Sequence, residues 1–190
     1  MTKEQITKSI DSGILQLGRW DKFNYYFPTT ALFFISLLFP AFWLYDQLIG
    51  PQKPMVIKPS DPVFIGFILI PFILGIVVFT FQKQLLRLTK INTLKMDEHN
   101  RKMIEEISNK LGWRTITNRQ DIFIAVTNPP FWSGSWGERI TVLYGNGVIW
   151  VNSICDPDKQ SSLVSCGRNK ANVRALIRKI SNPSKKSFVT

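Results

Sequence analysis

The sequence holds one histidine and two cysteines in 190 residues, and that scarcity narrows its chemistry at once. Two cysteines and one histidine fall short of the four ligands of a structural zinc site. His99 stands in "DEHNRK" with no neighbouring nucleophile to activate, so it reads as a solvated surface residue. Walker loops, dinucleotide fingerprints and nucleophile elbows are also missing. The glycine turns "GSWGE" and "YGNGV" lack the helix that a phosphate loop must open. No catalytic residue, metal site or cofactor is assigned from the sequence, and an enzyme is disfavoured, although groups converging from distant loops would leave no such signature.

Charge is missing in two long stretches. Between Phe23 and Tyr45, and again between Pro62 and Gln82, no residue is ionisable as Asp, Glu, Lys, Arg or His. Each run approaches the ~20 residues that cross a ~30 Å hydrocarbon core, although the mean hydropathy of +0.02 is that of a soluble protein. The absence of intramembrane charge argues against a pump or proton channel. Tyr25, Tyr26, Trp43 and Tyr45 near the ends of the first run suit an interfacial aromatic belt. The first run starts too late, and is too long, for an ordinary cleaved signal peptide, so it is read as retained. Gly66 and Gly75 are packing positions, and Pro40 and Pro71 fall near the middle of the runs.

Basic residues orient the hairpin. Lys3, Lys8, Arg19 and Lys22 precede the first run, and Lys83, Arg87, Lys90, Lys95, Arg101 and Lys102 follow the second, whereas the loop 46–61 carries only Lys53 and Lys58. The positive-inside rule then predicts a multi-pass membrane protein with both termini cytoplasmic and the loop outside. Much of the net charge of +11 is accounted for in this way. Attraction to anionic lipid is its natural companion. Nucleic-acid binding is disfavoured, because no recognition motif accompanies the charge.

The segment 1–22 contains a helix with Ile6, Ile10, Ile14 and Leu17 at helical spacing. It suits either the membrane surface or the protein's own cytoplasmic domain. Residues 83–96, "KQLLRLTKINTLKM", read as a helical connector. A cytoplasmic domain is expected over 97–181: a helix with Met103, Ile104, Ile107 and Leu111 on its buried stripe, stopped by Gly112, then five strands and a terminal helix burying Val173, Leu176, Ile177 and Ile180. The strands are "WRTIT", "DIFIAVT", "RITVLY", "VIWVNSIC" and "SSLVSC". "GNG" at 145–147 marks a tight hairpin, and 182–190 is a basic tail. The fold class is an α+β membrane protein: two transmembrane helices in a hairpin, plus an antiparallel sheet of about five strands flanked by two helices.

Two places invite a functional reading. The loop "PPFWSGSWGERI" presents Phe131, Trp132 and Trp136 in a Gly/Ser/Pro setting, suited to a membrane or partner interface; alternatively the tryptophans fold back on the sheet, Trp136 above all. "CGRNKANVRALIRKI" opens a helix with Arg168 and Lys170, cations where the helix dipole favours an anion. Either Glu138, Asp156 and Asp158 meet them as internal ion pairs, the favoured reading, or they hold a phosphate or lipid anion, with Asn169 as N-cap in both cases. If "DPDKQ" closes a regular hairpin, Cys155 faces Ser161 and Cys166 faces Trp150. That separates the thiols by roughly 17 Å at ~3.4 Å per residue, too far for a disulfide that needs Cα atoms within ~7 Å. Both are expected as free thiols.

The segment "VNSICDPDKQSSLVSCGRNKANVRAL", with "SWGERITV" upstream, resembles bacterial inner-membrane proteins in which a two-span hairpin carries a small cytoplasmic α+β domain. More distantly, Gly167 and Asn169 are similar in spacing to the end of another bacterial domain family. The resemblance implies a structural type, with no assigned activity and no catalytic residues. The resulting expectation is a membrane-anchored accessory or regulatory protein acting by protein binding, in contact with the bilayer and with a membrane-protein partner or a second copy. The rival readings are a lipid- or anion-binding module and a membrane-bound enzyme on a phosphorylated or lipid substrate.

Overall fold

Each charge-free run becomes one long helix and the amphipathic segments become a sheet clad on both faces. The computed structural model describes residues 1–49, 59–93, 97–129, 136–145, 147–159 and 167–181. Among them are α1 (Lys3–Ser12), α2 (Arg19–Ile49), α3 (Pro62–Leu85), β1 (Thr89–Asn92), α4 (Asp97–Lys110), β2 (Arg114–Asn118), β3 (Ile122–Val126), β4 (Glu138–Gly145), β5 (Val148–Cys155) and α5 (Arg168–Ser181). The chain divides into two units, 25–84 and the α+β unit formed by 1–24 with 85–190.

In the unit 25–84, α2 and α3 are long and apolar enough to cross a membrane. α2 extends beyond its uncharged run at both ends. Pro62 takes the first position of α3, where its missing N–H costs nothing, and the Asp61 carbonyl accepts the Ile65 N–H at 3.1 Å. The helices meet through rings, Phe39 stacking on Phe67 at 4.7 Å and Phe33 tilting on Phe72 at 5.5 Å. Gly75 allows that approach, since a Cβ there would lie 2.7 Å from Cε1 of Phe33. Gly66 meets no such neighbour; a Cβ there would come only within 3.9 Å of Ile70. At the other end of the pair, Tyr25 Oη donates to the Gln82 carbonyl at 2.9 Å, Gln82 Nε2 donates to the Tyr25 carbonyl, and Thr29 Oγ1 donates to Gln82 Oε1. A polar clasp of this kind is stable between apolar helices because each group finds its partner there.

The α+β unit is built on an antiparallel sheet of order β1-β5-β4-β3-β2. Phe123, Ala125, Ile140, Val142, Ile149 and Val151 point to one face, where Ile104 and Ile107 of α4 and Leu176 and Ile180 of α5 close the core. Gly112, at φ +68°, stops the chain after α4. Ile122 and Leu143 point to the other face, where they pack with Ile6 of α1. This decides between the two readings of the N-terminal helix: its apolar stripe belongs to the sheet. α1 carries a capping box between Thr2 and Gln5 and ends at Gly13, φ 65°, short of the expected Leu17. The β4–β5 hairpin turns where "GNG" predicts, with Gly145 paired to Val148 and Gly147 at φ 75°.

Residues 83–96 are not a helical connector. α3 stops at Leu85, and 89–92 form β1, an edge strand antiparallel to β5 with Thr89 opposite Val151 and Asn92 opposite Val148. Thr89 and Ile91 are β-branched and alternate along an edge, a pattern the preceding leucines mask. The expected strand 161–166, with Cys166, lies outside the described residues, as do most of the loop 46–61 and the tail 182–190. Trp150 pairs with Leu143 on one side and Lys90 on the other.

Candidate functional site: a polar seat at the helix ends

The face of the sheet that receives α1 changes character along its strands. Towards the hairpin it is apolar, with Leu143 and Trp150; towards the opposite end the same alternation brings up Arg139, Thr141 and Asn152. Thr141 and Asn152 are directly paired across β4 and β5, and Arg139 lies two residues along from Thr141. Such polar residues on a buried face need partners. Arg139 and Asn152 find them in residues at the beginning of α2 and the end of α3.

Arg139 is the centre. Its side chain is 9% exposed, yet three carboxylates surround it: Asp21 Oδ2 at 2.9 Å from Nη1, Asp156 Oδ1 at 3.0 Å from Nη2 and Asp158 Oδ2 at 2.6 Å from Nη2. Nε also donates to Asp156 Oδ1 at 3.1 Å. Asp21 lies in the first turn of α2, where a negative charge also suits the helix dipole. Asp156 and Asp158 come from the turn after β5, in which the Asp158 N–H donates to Asp156 Oδ1 at 3.3 Å and the Lys159 N–H to the Asp156 carbonyl at 3.1 Å. Burial alone would pull the Arg139 pKa down, but the charges of Asp21, Asp156 and Asp158, with the hydrogen bond to Asp21, outweigh it and hold the guanidinium above its ordinary value.

Asn152 serves the other helix. Its Nδ2 donates to the Leu85 carbonyl at 2.8 Å and to the Arg87 carbonyl at 2.9 Å. The last carbonyls of a helix have no intrahelical donor, so a buried amide there acts as a cap. The chain around it is tied further by Leu15 N–H to the Leu86 carbonyl at 2.8 Å and Leu88 N–H to the Gly13 carbonyl at 2.9 Å. Neighbouring strands of one sheet thus hold residues of both helix ends.

The residues singled out from sequence fall elsewhere. α5 begins at Arg168, and Asn169 is its second residue rather than an N-cap; its buried Oδ1 accepts from Ser153 Oγ at 3.1 Å and so ties α5 to β5. Arg168 is half-buried and Lys170 exposed. The ion pairs expected for them are not formed among the described residues, because Asp156 and Asp158 are turned to Arg139, and Glu138, buried, accepts from Thr127 Oγ1. Trp136 is exposed rather than folded into a core. Phe131 and Trp132 lie outside the described residues. His99 is exposed, and Cys155 is buried. Among the described residues no group of three or more His, Cys, Asp or Glu is arranged to hold a metal ion; the carboxylates of Asp21, Asp156 and Asp158 are organised by a guanidinium instead.

Comparisons with protein-family models, curated proteins and solved structures find no match.

Proposed function

We propose that this chain is a membrane-anchored accessory or regulatory protein of a bacterial inner membrane, with both termini and the α+β domain in the cytoplasm. Its domain acts by binding another membrane protein or a second copy of itself. The observation that supports this most is how the buried polar residues are used. Arg139 and Asn152 are committed to residues of the helix ends, Asp21, Leu85 and Arg87, and are not turned into a reactive cleft. The basic flanks of both helices support the orientation. Exposed Trp136 and Ile116 supply apolar area on the domain for a partner.

The test is cross-linking in native membranes followed by purification in mild detergent. A complex of fixed stoichiometry is expected, weakened by Trp136→Ala in a protein that melts as before. A monomer that carries only a bound metabolite, and turns it over, contradicts the reading.

A further inference from the structure

We propose that the residues where α2 begins and α3 ends form a collar for anionic phospholipid headgroups, built by Arg19, Lys22 and Arg87 and seated by Trp20 and Phe23. The proposal rests on the reading that α2 and α3 are inserted in a bilayer, and adds to it the chemistry of the lipid they select.

The collar follows from which charges the fold uses and which it leaves outside. Arg19, Lys22 and Arg87 are all exposed, and no ion pair among the described residues reaches them. Between Ser12 and Asn24 the one acid is Asp21, and between Leu85 and Thr93 there is none. Asp21 is turned inward onto Arg139 at 2.9 Å, so the cations on either side of it in sequence have lost their nearest neutralising partner. Arg87 is fixed by its backbone: its carbonyl accepts from Asn152, and it pairs with Ile14 in an antiparallel bridge, at the start of the short run that leads to Arg19.

The aromatics identify the surface that these cations meet. Trp20 is 71% exposed and Phe23 54% exposed, and their rings stack on each other at 5.6 Å. An indole held open on the first turn of an apolar helix has the amphipathic character of the headgroup layer, where such rings concentrate. Cations beside it lie within a Debye length of lipid phosphates. Each cation near an anionic leaflet raises partition by about fivefold, and three together suffice to enrich anionic lipid around the helix ends.

The experiment uses the full chain in nanodiscs of phosphatidylcholine with a minor share of phosphatidylglycerol, and native mass spectrometry of the lipids retained on ejection. The wild type is expected to retain phosphatidylglycerol at least about tenfold above its bulk share, with the enrichment falling at high salt. A variant carrying Arg19→Gln, Lys22→Gln and Arg87→Gln should lose it while melting at the same temperature. No enrichment in the wild type, or enrichment unchanged in the variant, overturns the collar and leaves these residues with a role in topology alone. Alkaline carbonate extraction of the same proteins separates the two readings: a membrane-resistant protein without enrichment fails the collar only, and a protein released by carbonate fails the anchor and the collar with it.

Discussion

The guanidinium of Arg139 stands 2.9 Å from the carboxylate of Asp21, 118 positions away in the chain. The contact joins the middle of a sheet to the first turn of an apolar helix, with Asp156 completing the pair from the buried side. Its consequences can be measured one residue at a time.

Arg139→Gln removes the one cation that, among the described residues, pairs with these three carboxylates, and leaves Asp156, 5% exposed, without that charge partner. A loss of about 3–5 kcal/mol in stability is expected, as for other broken buried pairs. Asp158→Asn should cost about 1 kcal/mol or less, because that carboxylate is 61% exposed and screened by solvent. Chemical denaturation of the two variants in detergent checks the contrast. Equal losses would mean that Arg139 does not organise the cluster.

Asn152→Leu keeps the γ-branched outline of the side chain and removes the amide that donates to the carbonyls of Leu85 and Arg87. About 1–3 kcal/mol should be lost through the unpaired, partly buried carbonyls. Hydrogen exchange is the sensitive readout: the amides of Leu86 and Leu88 should exchange faster, while those of β3 stay protected. Uniform acceleration across the sheet would show that Asn152 is a general core residue rather than a helix cap.

Gly75→Leu places side-chain atoms where a Cβ alone would already lie 2.7 Å from Phe33. The overpacked pair of helices is expected to lose about 1–3 kcal/mol, and Gly66→Leu, with room around it, should be nearly neutral. Melting of the two variants in the same detergent gives the comparison; a neutral Gly75→Leu would contradict the packing of α2 on α3.

Cys155 is buried. In the folded protein its thiol should react with a maleimide at least about tenfold more slowly than in denaturant, since modification requires opening of the β5 end of the sheet. Rapid labelling in the native state would place Cys155 at the surface.

How far the sequence announced these features depends on the distance between the partners. The helices α2 and α3, the stop at Gly112 and the turn at Gly147 each depend on local chemistry, and each stands where the pattern places it. β1 escaped because Leu85, Leu86, Leu88 and Ile91 keep helical spacing as the chain leaves α3, while the strand's partner, β5, lies far downstream. Arg139 escaped for the same reason: inside "GERITVLY" it looks like an ordinary strand residue, and its acids come from two remote places, the first turn of α2 and the turn after β5. One signal was available. The amphipathic α1 requires a sheet face to cover, and alternation along β4 puts Arg139 on that face with Thr141 and Leu143, so a buried guanidinium in need of carboxylates followed from the pattern. Asp156 and Asp158 go to this more buried claimant rather than to Arg168 and Lys170.

The anchor and its orientation are the centre of the account, and topology mapping in a bacterial host tests them most directly. Reporters active only in the cytoplasm, fused after Thr190 and before Met1, should be active, and the same reporter inserted between Pro51 and Lys58 should be silent, with a periplasmic reporter giving the reverse pattern. A periplasmic reporter that is active after Thr190, or a cytoplasmic one that is active at all three places, would contradict a two-span hairpin carrying its domain in the cytoplasm.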